Sequence, residues 1–319
     1  SSFVGDGSKL TGLAKPTGTC KVGEVVTGMG ENGPVCVALA VLLKSLGASL
    51  PTAGRPTQIS MSFTGGCALR TNKTVRCWGQ SGAAAQPGRQ FELIDSGGYT
   101  TCGLRTDGKI YCWGEDTYVA GTQSPSKGGK FIGLSVGNEH ACAVEASGKV
   151  RCWGQGHYGQ LKVPPGGYTQ VSAGERFTCA VRSNGELACW GLGTKVSPSG
   201  GEWGQASPPS GLYTEVHAGL EYACAVRKDK TLICWGRDVF QQTKAPLGTF
   251  NQISVSRAAC GLTTAGGVVC WGNILAEDAP QTTGYLQVET ANRAACALDS
   301  LGLVVCWGKS GAGATNPPF

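Results

Sequence analysis

The sixteen cysteines are the residues whose number and spacing point most directly to chemistry. Fourteen of them form seven pairs whose members stand ten positions apart, and Trp-Gly follows the second cysteine of every pair. The pairs are Cys67 and Cys77, Cys102 and Cys112, Cys142 and Cys152, Cys179 and Cys189, Cys224 and Cys234, Cys260 and Cys270, and Cys296 and Cys306. Cys20 and Cys36 complete the even count, and even pairing at fixed spacing is typical of disulfides.

Zinc binding is the alternative chemistry for so many cysteines. Zinc sites bring thiolates to one ion through short spacings, and no pair of cysteines in this chain has a two-residue spacing. We therefore expect disulfides, no bound metal and no cofactor, and an extracellular or cell-surface location. The chain starts at Ser1 without a visible signal peptide, so we expect that a leader has been removed or trimmed.

The chain has only three histidines, so it contains few candidates for catalytic histidines. We expect His140 and His217 to be structural, whereas His157 lies beside Tyr158 in an exposed connection and is a candidate binding residue. The sequence has no nucleophile elbow, phosphate-binding glycine loop or metal-spaced His-Glu motif. These observations predict a protein that is not an enzyme.

Aromatic residues in the connections are the best binding candidates. Trp203 lies in the longest connection, residues 191–211, and exposed aromatic residues on the loops of a rigid scaffold are common binding anchors. Tyr158 and Tyr118 are further candidates, the latter in the connection 115–130. The tryptophans that follow the cysteine pairs are predicted to pack between repeats: Trp78, Trp113, Trp153, Trp190, Trp235, Trp271 and Trp307. Asn72 heads a glycosylation sequon, and its use is left open.

The elements that must position these residues are predicted to be β-hairpins. In the segment CGLRTDGKIYCWG, Asp107-Gly108 lies midway between Cys102 and Cys112. A three-residue loop would place the two cysteines directly opposite each other. Non-hydrogen-bonded antiparallel pairs have Cα atoms about 4.5 Å apart, which a disulfide tolerates. Each repeat can therefore link its own hairpin.

Alternation of aliphatic and small residues along the hairpins supports this register. The residue two after the first cysteine and its predicted partner are aliphatic in all seven copies, as in Val144 and Val150, and the residue directly after that cysteine is always Ala or Gly. Small residues on one face fit sheets that pack closely face to face. Lys73 and Lys230 replace the turn glycine in the first and fifth copies, where we expect strained or differently built turns.

The copies recur at steps of 35, 40, 37, 45, 36 and 36 residues, which indicates a repeat architecture. A short strand precedes each hairpin, for example residues 169–172 and 215–217, and three or four strands per repeat are typical of a propeller blade. The third copy, GNEHACAVEASGKVRCWGQGHYGQL, is similar to the regulator of chromosome condensation repeat. The resemblance spans about residues 56–310 and implies an all-β, seven-bladed β-propeller. Proteins of that family include nuclear exchange factors, secreted β-lactamase inhibitors and receptor ectodomains, so function stays open.

Residues 1–50 lie outside the repeat and are predicted to form an arm, with the propeller at 51–319. The opening SSFVGDGSKLTGL resembles modules of phage tail fibres and bacterial surface fibres. A hairpin linked by Cys20 and Cys36 is expected next, then an apolar helix over 37–46, too short to span a bilayer. The arm either plugs its own propeller or docks on another molecule. Its candidate assembly residues are Phe3, Val4, Leu10, Leu13, Leu39, Leu42, Leu43 and Leu46.

Net charge is +6, spread along the chain without a lysine or arginine run, so no nucleic-acid partner is expected. The sequence favours a subunit of a cell-surface fibre, whose partner is another copy of itself or a different surface protein. One alternative is a secreted module that grips a protein or glycan through its loops. A guanine-nucleotide exchange factor is the least favoured, because a disulfide in every blade suits the outside of a cell. The strand that closes the ring is expected from residues 51–66 or from another molecule.

Overall fold

The structure, a computed structural model, describes residues 24–30, 33–38, 54–80, 88–114, 119, 124–125, 129–197, 201–272, 279–309, 315 and 317. The chain separates into two compact units, Ser1–Leu50 and Pro51–Phe319. In the first unit, β1 (Glu24–Gly30) and β2 (Gly33–Ala38) form an antiparallel hairpin. Residues 37 and 38, predicted to begin a helix, belong to β2, and the remainder of that helix lies outside the described residues. Cys20 and all eight candidate assembly residues of the arm also lie outside them.

The second unit contains seven antiparallel sheets of three strands, here called blades 1 to 7. The first strands are β3 (Pro56–Ser62), β6 (Phe91–Gly97), β9 (Phe131–Val136), β12 (Tyr168–Ala173), β17 (Tyr213–Ala218), β20 (Phe250–Val255) and β23 (Tyr285–Thr290). The second strands are β4 (Gly65–Arg70), β7 (Thr100–Arg105), β10 (His140–Glu145), β13 (Phe177–Arg182), β18 (Tyr222–Arg227), β21 (Ala259–Thr263) and β24 (Ala294–Asp299). The third strands are β5 (Val75–Gly79), β8 (Ile110–Gly114), β11 (Val150–Gly154), β14 (Leu187–Gly191), β19 (Leu232–Gly236), β22 (Val268–Trp271) and β25 (Val304–Gly308).

The connection after blade 4 adds a small hairpin of β15 (Val196–Ser197) and β16 (Glu202–Trp203). The described residues contain no α-helix. The predicted all-β, seven-bladed propeller is therefore confirmed.

The predicted hairpin register is also confirmed. In blade 3, Cys142 lies opposite Cys152 and Val144 opposite Val150, and the other six blades show the same arrangement. All seven blade disulfides are formed, with Cα atoms 3.9 to 4.1 Å apart. The bond draws the strands slightly closer than the about 4.5 Å of an unlinked pair.

Blades pack through the two hairpin faces that the sequence distinguishes. Cys142 and Val144 of blade 3 contact Ala180, Ala188 and Trp190 of blade 4 in one buried cluster. The other clusters repeat this arrangement around the ring, each with the tryptophan of one blade against the disulfide or the aliphatic residues of the preceding blade. The repeat tryptophans therefore pack between blades, as predicted.

The loops between second and third strands link each blade to the next. The carbonyl of Gly148 accepts the Tyr168 N–H at 2.9 Å. Lys73 and Lys230 stand in the glycine position with φ of 62° and 69°, and the carbonyl of Lys230 accepts the Phe250 N–H at 2.9 Å. Lysine there adopts a left-handed conformation that glycine takes without strain, so the strained alternative is confirmed.

In the described part of the chain, blade 7 contacts blade 1 directly through β23 and β24 against β3. The Gln287 side chain of blade 7 donates to the Ile59 carbonyl and accepts the Ile59 N–H, both at 2.8 Å. Gln58 and Gln170 join blades 1 to 2 and 4 to 5 in the same way, and we call each such contact a glutamine bridge. Residues 56–62 pair within blade 1, so the expectation that residues 51–66 complete the seventh blade is wrong.

Candidate functional site

One end of the propeller is formed by the loops between first and second strands, and we call it the first-loop face. These loops contact one another around the axis: the Phe63 N–H donates to the Gly98 carbonyl at 2.9 Å, and the Glu175 N–H to the Gly219 carbonyl at 3.1 Å. They surround a central cavity of about 70 Å³. That volume holds a few water molecules and is far below the several hundred Å³ of a typical ligand pocket. The surrounding surface is therefore the better candidate for binding.

Three connections on this face share one local structure, in which an aromatic residue precedes a glutamine by two positions. In the first, the Gln160 side chain accepts the Tyr158 N–H at 2.9 Å. The backbone carbonyl of Gln160 accepts the indole N–H of Trp190, in the next blade, at 2.7 Å. The Gln205 side chain accepts the Trp203 N–H at 2.7 Å, and its backbone carbonyl accepts the Trp235 indole N–H at 2.9 Å. The Gln242 side chain accepts the Phe240 N–H at 2.7 Å, and its backbone carbonyl accepts the Trp271 indole N–H at 3.0 Å. The repeat thus fixes Tyr158, Trp203 and Phe240 at three successive blade junctions. We call these three residues the aromatic arc.

The residue between aromatic and glutamine has a positive φ in each connection. It is Gly159 at 82°, Gly204 at 76° and Gln241 at 59°. The Gly-Gln-Leu sequence at 159–161 therefore recurs in altered form as Gly-Gln-Ala and Gln-Gln-Thr. Because the connection at Phe240 has Gln241 in place of the glycine, the family resemblance alone does not reveal this third example.

The aromatic arc is accessible and lies beside arginines. Tyr158 is 41% exposed and Phe240 54% exposed. Arg176 stands 5.0 Å from the Tyr158 ring centroid, and Arg237 stands 5.2 Å from that of Trp203. Arg237 also pairs with Glu221 of the neighbouring first loop. Stacking on a guanidinium group favours these ring positions and places positive charge beside two of the three aromatic residues.

The sequence-predicted candidates divide into three groups. Tyr158 and Trp203 occupy equivalent positions, although Trp203, predicted to be exposed, is half-buried on β16. His157 is exposed beside Tyr158. Tyr118 lies outside the described residues. Phe240 and the two stacking arginines were not predicted, and the aromatic-x-Gln spacing is the signal that identifies Phe240.

A second cluster lies on the first strands, which contact one another around the axis and are the innermost of each blade. The residue opposite the first cysteine is a serine in four blades and Asp95, His217 or Glu289 in the others. Burial raises the pKa of Asp95 to about 6. Burial and the charge of Asp95 raise the pKa of Glu289 to about 7. Burial alone would lower the pKa of His217, but its 2.8 Å bond to Glu215 and the nearby carboxylates raise it.

His140 is structural, as predicted. Its ring is fully buried, Nε2 lies 2.8 Å from the Thr178 hydroxyl, and burial lowers its pKa to about 4. In the described part of the chain, no group of three or more His, Cys, Asp or Glu side chains is placed to hold a metal ion. Within that same part, no helix has the length and apolar character needed to cross a membrane.

Comparison with protein families identifies the repeat. The model of the regulator of chromosome condensation (RCC1) repeat matches residues 91–118, 131–160 and 168–195, which correspond to blades 2, 3 and 4. Blades 2, 3 and 4 are thus similar to RCC1 repeats, and the seven three-stranded sheets are consistent with a seven-bladed propeller of the RCC1 type. No curated protein matches the chain by sequence.

Several solved structures share the fold. The entire ectodomain of the receptor kinase CR4 from Physcomitrella patens is 26% identical, with a TM-score of 0.67 over 80% of this chain and 73% of that one. The CRINKLY WD40 ectodomain of the receptor kinase ACR4 from Arabidopsis thaliana is 24% identical, with a TM-score of 0.67 over 83% and 99%. Prp20p from Saccharomyces cerevisiae is 14% identical, with a TM-score of 0.56 over 73% and 79%. At these sequence identities, the ACR4 and Prp20p structures are evidence of a shared fold only.

Proposed function

We propose that this protein is an extracellular, non-catalytic interaction module that binds a protein partner through the first-loop face. The observation that carries this proposal is the aromatic arc, in which one local structure presents Tyr158, Trp203 and Phe240 at three successive blade junctions. The propeller acts as a rigid scaffold, and the arc supplies the contacts.

The extracellular location is supported by two independent observations. Each blade carries a disulfide, and such bonds persist in oxidising compartments. The similar structure from Physcomitrella patens is a receptor-kinase ectodomain at 26% identity.

A protein partner is supported by the chemistry of the arc. Tyr, Trp and Arg are the residues most enriched in the energetic centres of protein interfaces, because they combine large apolar area with directed polar contacts. Tyr158 with Arg176 and Trp203 with Arg237 provide this combination twice. The small central cavity does not favour a small molecule at the axis.

The test is binding of the purified protein to the surface of source cells. Alanine at Tyr158, Trp203 and Phe240 together should reduce binding at least about tenfold, because truncating interface anchors typically costs more than 1 kcal/mol each. The matched control places alanine at Ile132, Leu212 and Leu286, exposed residues near the opposite end of the propeller. An equal loss in both variants, or none in the first, would rule out the arc as the binding surface.

A finer proposal is that the protein is a fibre subunit assembled through its arm. Its support is the sequence of residues 1–50, with the fibre-like opening and the apolar run at 37–46. Deletion of residues 1–50 should then convert oligomers or filaments into single propellers, as judged by negative-stain microscopy and light scattering. Unchanged size and assembly would refute this finer proposal and leave the first-loop face untouched.

Glycan capture by the first-loop face is a remaining alternative. It differs in its readout, because glycosidase treatment of the cells would abolish binding whereas protease treatment would not. Guanine-nucleotide exchange stays least favoured, and oxidised blade cysteines in native material would argue against a nuclear role.

A further inference from the structure

Basic residues that are scattered along the sequence gather at one end of the propeller. We define the turn face as the loops between second and third strands together with the residues that lead into the first strands. Its described cations are Arg55, Arg70, Lys73, Arg89, Arg105, Lys109, Lys130, Lys149, Arg182, Arg227, Lys228 and Lys230. Its described anions are Glu92, Asp107, Glu145, Glu186, Asp229 and Asp299. Twelve cations against six anions make this face strongly basic.

The first-loop face, by comparison, carries nearly equal numbers of cations and anions. Its described cations are Arg176, Lys195, Arg237, Arg257, Arg293 and Lys309, and its described anions are Glu139, Glu175, Glu202, Glu221 and Asp238, which is six against five. The excess positive charge is therefore a property of the turn face, and the even spread of lysine and arginine along the sequence conceals it.

The repeat register produces this segregation. The third residue after the first cysteine is arginine in four blades, at the end of the second strand where the turn face begins. Lysines occupy the loops that follow, and these loops are fixed by hydrogen bonds to the next blade, such as the 2.7 Å bond from Tyr213 N–H to the Gly185 carbonyl. The cations are consequently presented on rigid backbone.

Several turn-face anions are already engaged. Asp107 pairs with Arg105 at 3.0 Å, and Glu145 pairs with Arg151 at 2.5 Å. The Asp299 side chain accepts the N–H groups of Leu301 and Leu303 within its own turn. By contrast, the exposed lysines Lys109, Lys130, Lys149 and Lys228 form no ion pair with any described residue.

We propose that the turn face binds an acidic polysaccharide that carries uronate or sulfate groups. A linear polyanion with closely spaced charges matches an array of unpaired lysines, and its binding is driven by release of counterions. The exposed tyrosines and phenylalanine of the described residues, Tyr99, Tyr158 and Phe240, lie on the first-loop face, so the turn face lacks the stacking surface typical of single-stranded nucleic-acid sites. The protein would then contact an anionic matrix with one face while the other remains free for its protein partner.

The test measures retention on immobilised heparin and polygalacturonate, with dextran as the neutral probe. The turn-face variant combines Lys109→Gln, Lys149→Gln and Lys228→Gln. The control combines Arg257→Gln, Arg293→Gln and Lys309→Gln, which removes the same net charge from exposed positions of the first-loop face. We expect salt-sensitive binding to both acidic probes, about tenfold weaker for the turn-face variant and within about twofold of wild type for the control.

Three outcomes would overturn the proposal: equal weakening of both variants, no retention on either acidic polysaccharide, or stronger binding to phosphatidylglycerol vesicles or poly-glutamate than to the polysaccharides. The lysines are exposed and lack described ion pairs, so the substitutions should leave folding intact. Because the readout uses defined polysaccharides, failure here would not affect the proposed role of the aromatic arc.

Discussion

At the scale of single residues, three side chains stand where the backbone favours glycine. Lys73, Lys230 and Gln241 have φ between 59° and 69°, and each occupies a position that is glycine in other copies of the same structure. The hydrogen bonds of the turn or connection are retained. The surrounding repeat therefore stabilises these residues in the left-handed conformation despite its strain. A residue with a side chain at such a position is expected to lower stability.

Lys230→Gly should therefore stabilise the protein by about 1 kcal/mol, because glycine adopts this φ without strain. The Lys230 side chain donates a 2.8 Å hydrogen bond to Asn251 at an exposed site, so its loss should cost little. The measurement is the denaturant midpoint of unfolding. Gly185→Lys, at the equivalent turn of blade 4, should shift the midpoint in the opposite direction. A lower midpoint for Lys230→Gly would contradict this interpretation.

At the scale of elements, the close contacts between first loops hold the blades together near the axis. A Cβ atom on Gly174 would lie 2.6 Å from the Gly219 carbonyl oxygen and 2.8 Å from a ring carbon of Phe177. Neither the neighbouring backbone nor the buried ring can move freely. Glycine at this loop is therefore required by the distance between blades 4 and 5.

Gly174→Ala should destabilise the propeller by about 2 to 3 kcal/mol through overpacking. Gly267→Ala is the matched control, because its Cβ would meet only side-chain atoms at 3.5 and 3.8 Å and its φ is not positive. The control should be neutral or slightly more stable. Thermal unfolding of both variants compares the two positions, and equal melting temperatures would show that blade spacing tolerates a methyl group.

The hairpins could be predicted from the sequence because each depends on residues no more than ten positions apart. The cysteine register, the aliphatic pairs and the strained lysine turns are all of this local kind. The arc residue Phe240 was missed because Gln241 replaces the glycine found at Gly159 and Gly204, so the Gly-Gln pattern of the repeat is not visible there. The repeat register places the turn-face cations near the hairpin turns, but their gathering at one end of the ring depends on the arrangement of the blades, as does the Gln287 bridge to Ile59.

At the scale of the whole molecule, the axis collects titratable groups from distant blades. Asp95, Glu289, Glu215 and His217 influence one another across the ring, with serines from four blades between them. The two carboxyl groups with raised pKa bind protons more tightly in the folded than in the unfolded chain. The proton of His217 is likewise held more tightly after folding, since its pKa is raised.

Stability should therefore fall as pH rises from about 4 to 7. The unfolded carboxyl groups ionise near pH 4, whereas Asp95 and Glu289 ionise near 6 and 7 in the folded state, so their favourable contribution is lost across that window. The combined loss should be about 3 kcal/mol, since solvent at the axis screens part of each shift. Melting temperatures between pH 4 and 8 measure this loss. Asp95→Asn with Glu289→Gln should flatten the profile, and a flat wild-type profile would contradict the assignment.

The most direct test of the central claim is site-specific photo-crosslinking on source cells. A photoreactive amino acid would replace Tyr158 or Phe240 in the aromatic arc, and Ile132 or Leu286 near the opposite end as controls. We expect a discrete crosslinked protein, identified by mass spectrometry, from both arc positions and from neither control. Equal crosslinking from all four positions, or none from the arc, would contradict the claim that the first-loop face is a protein-binding surface.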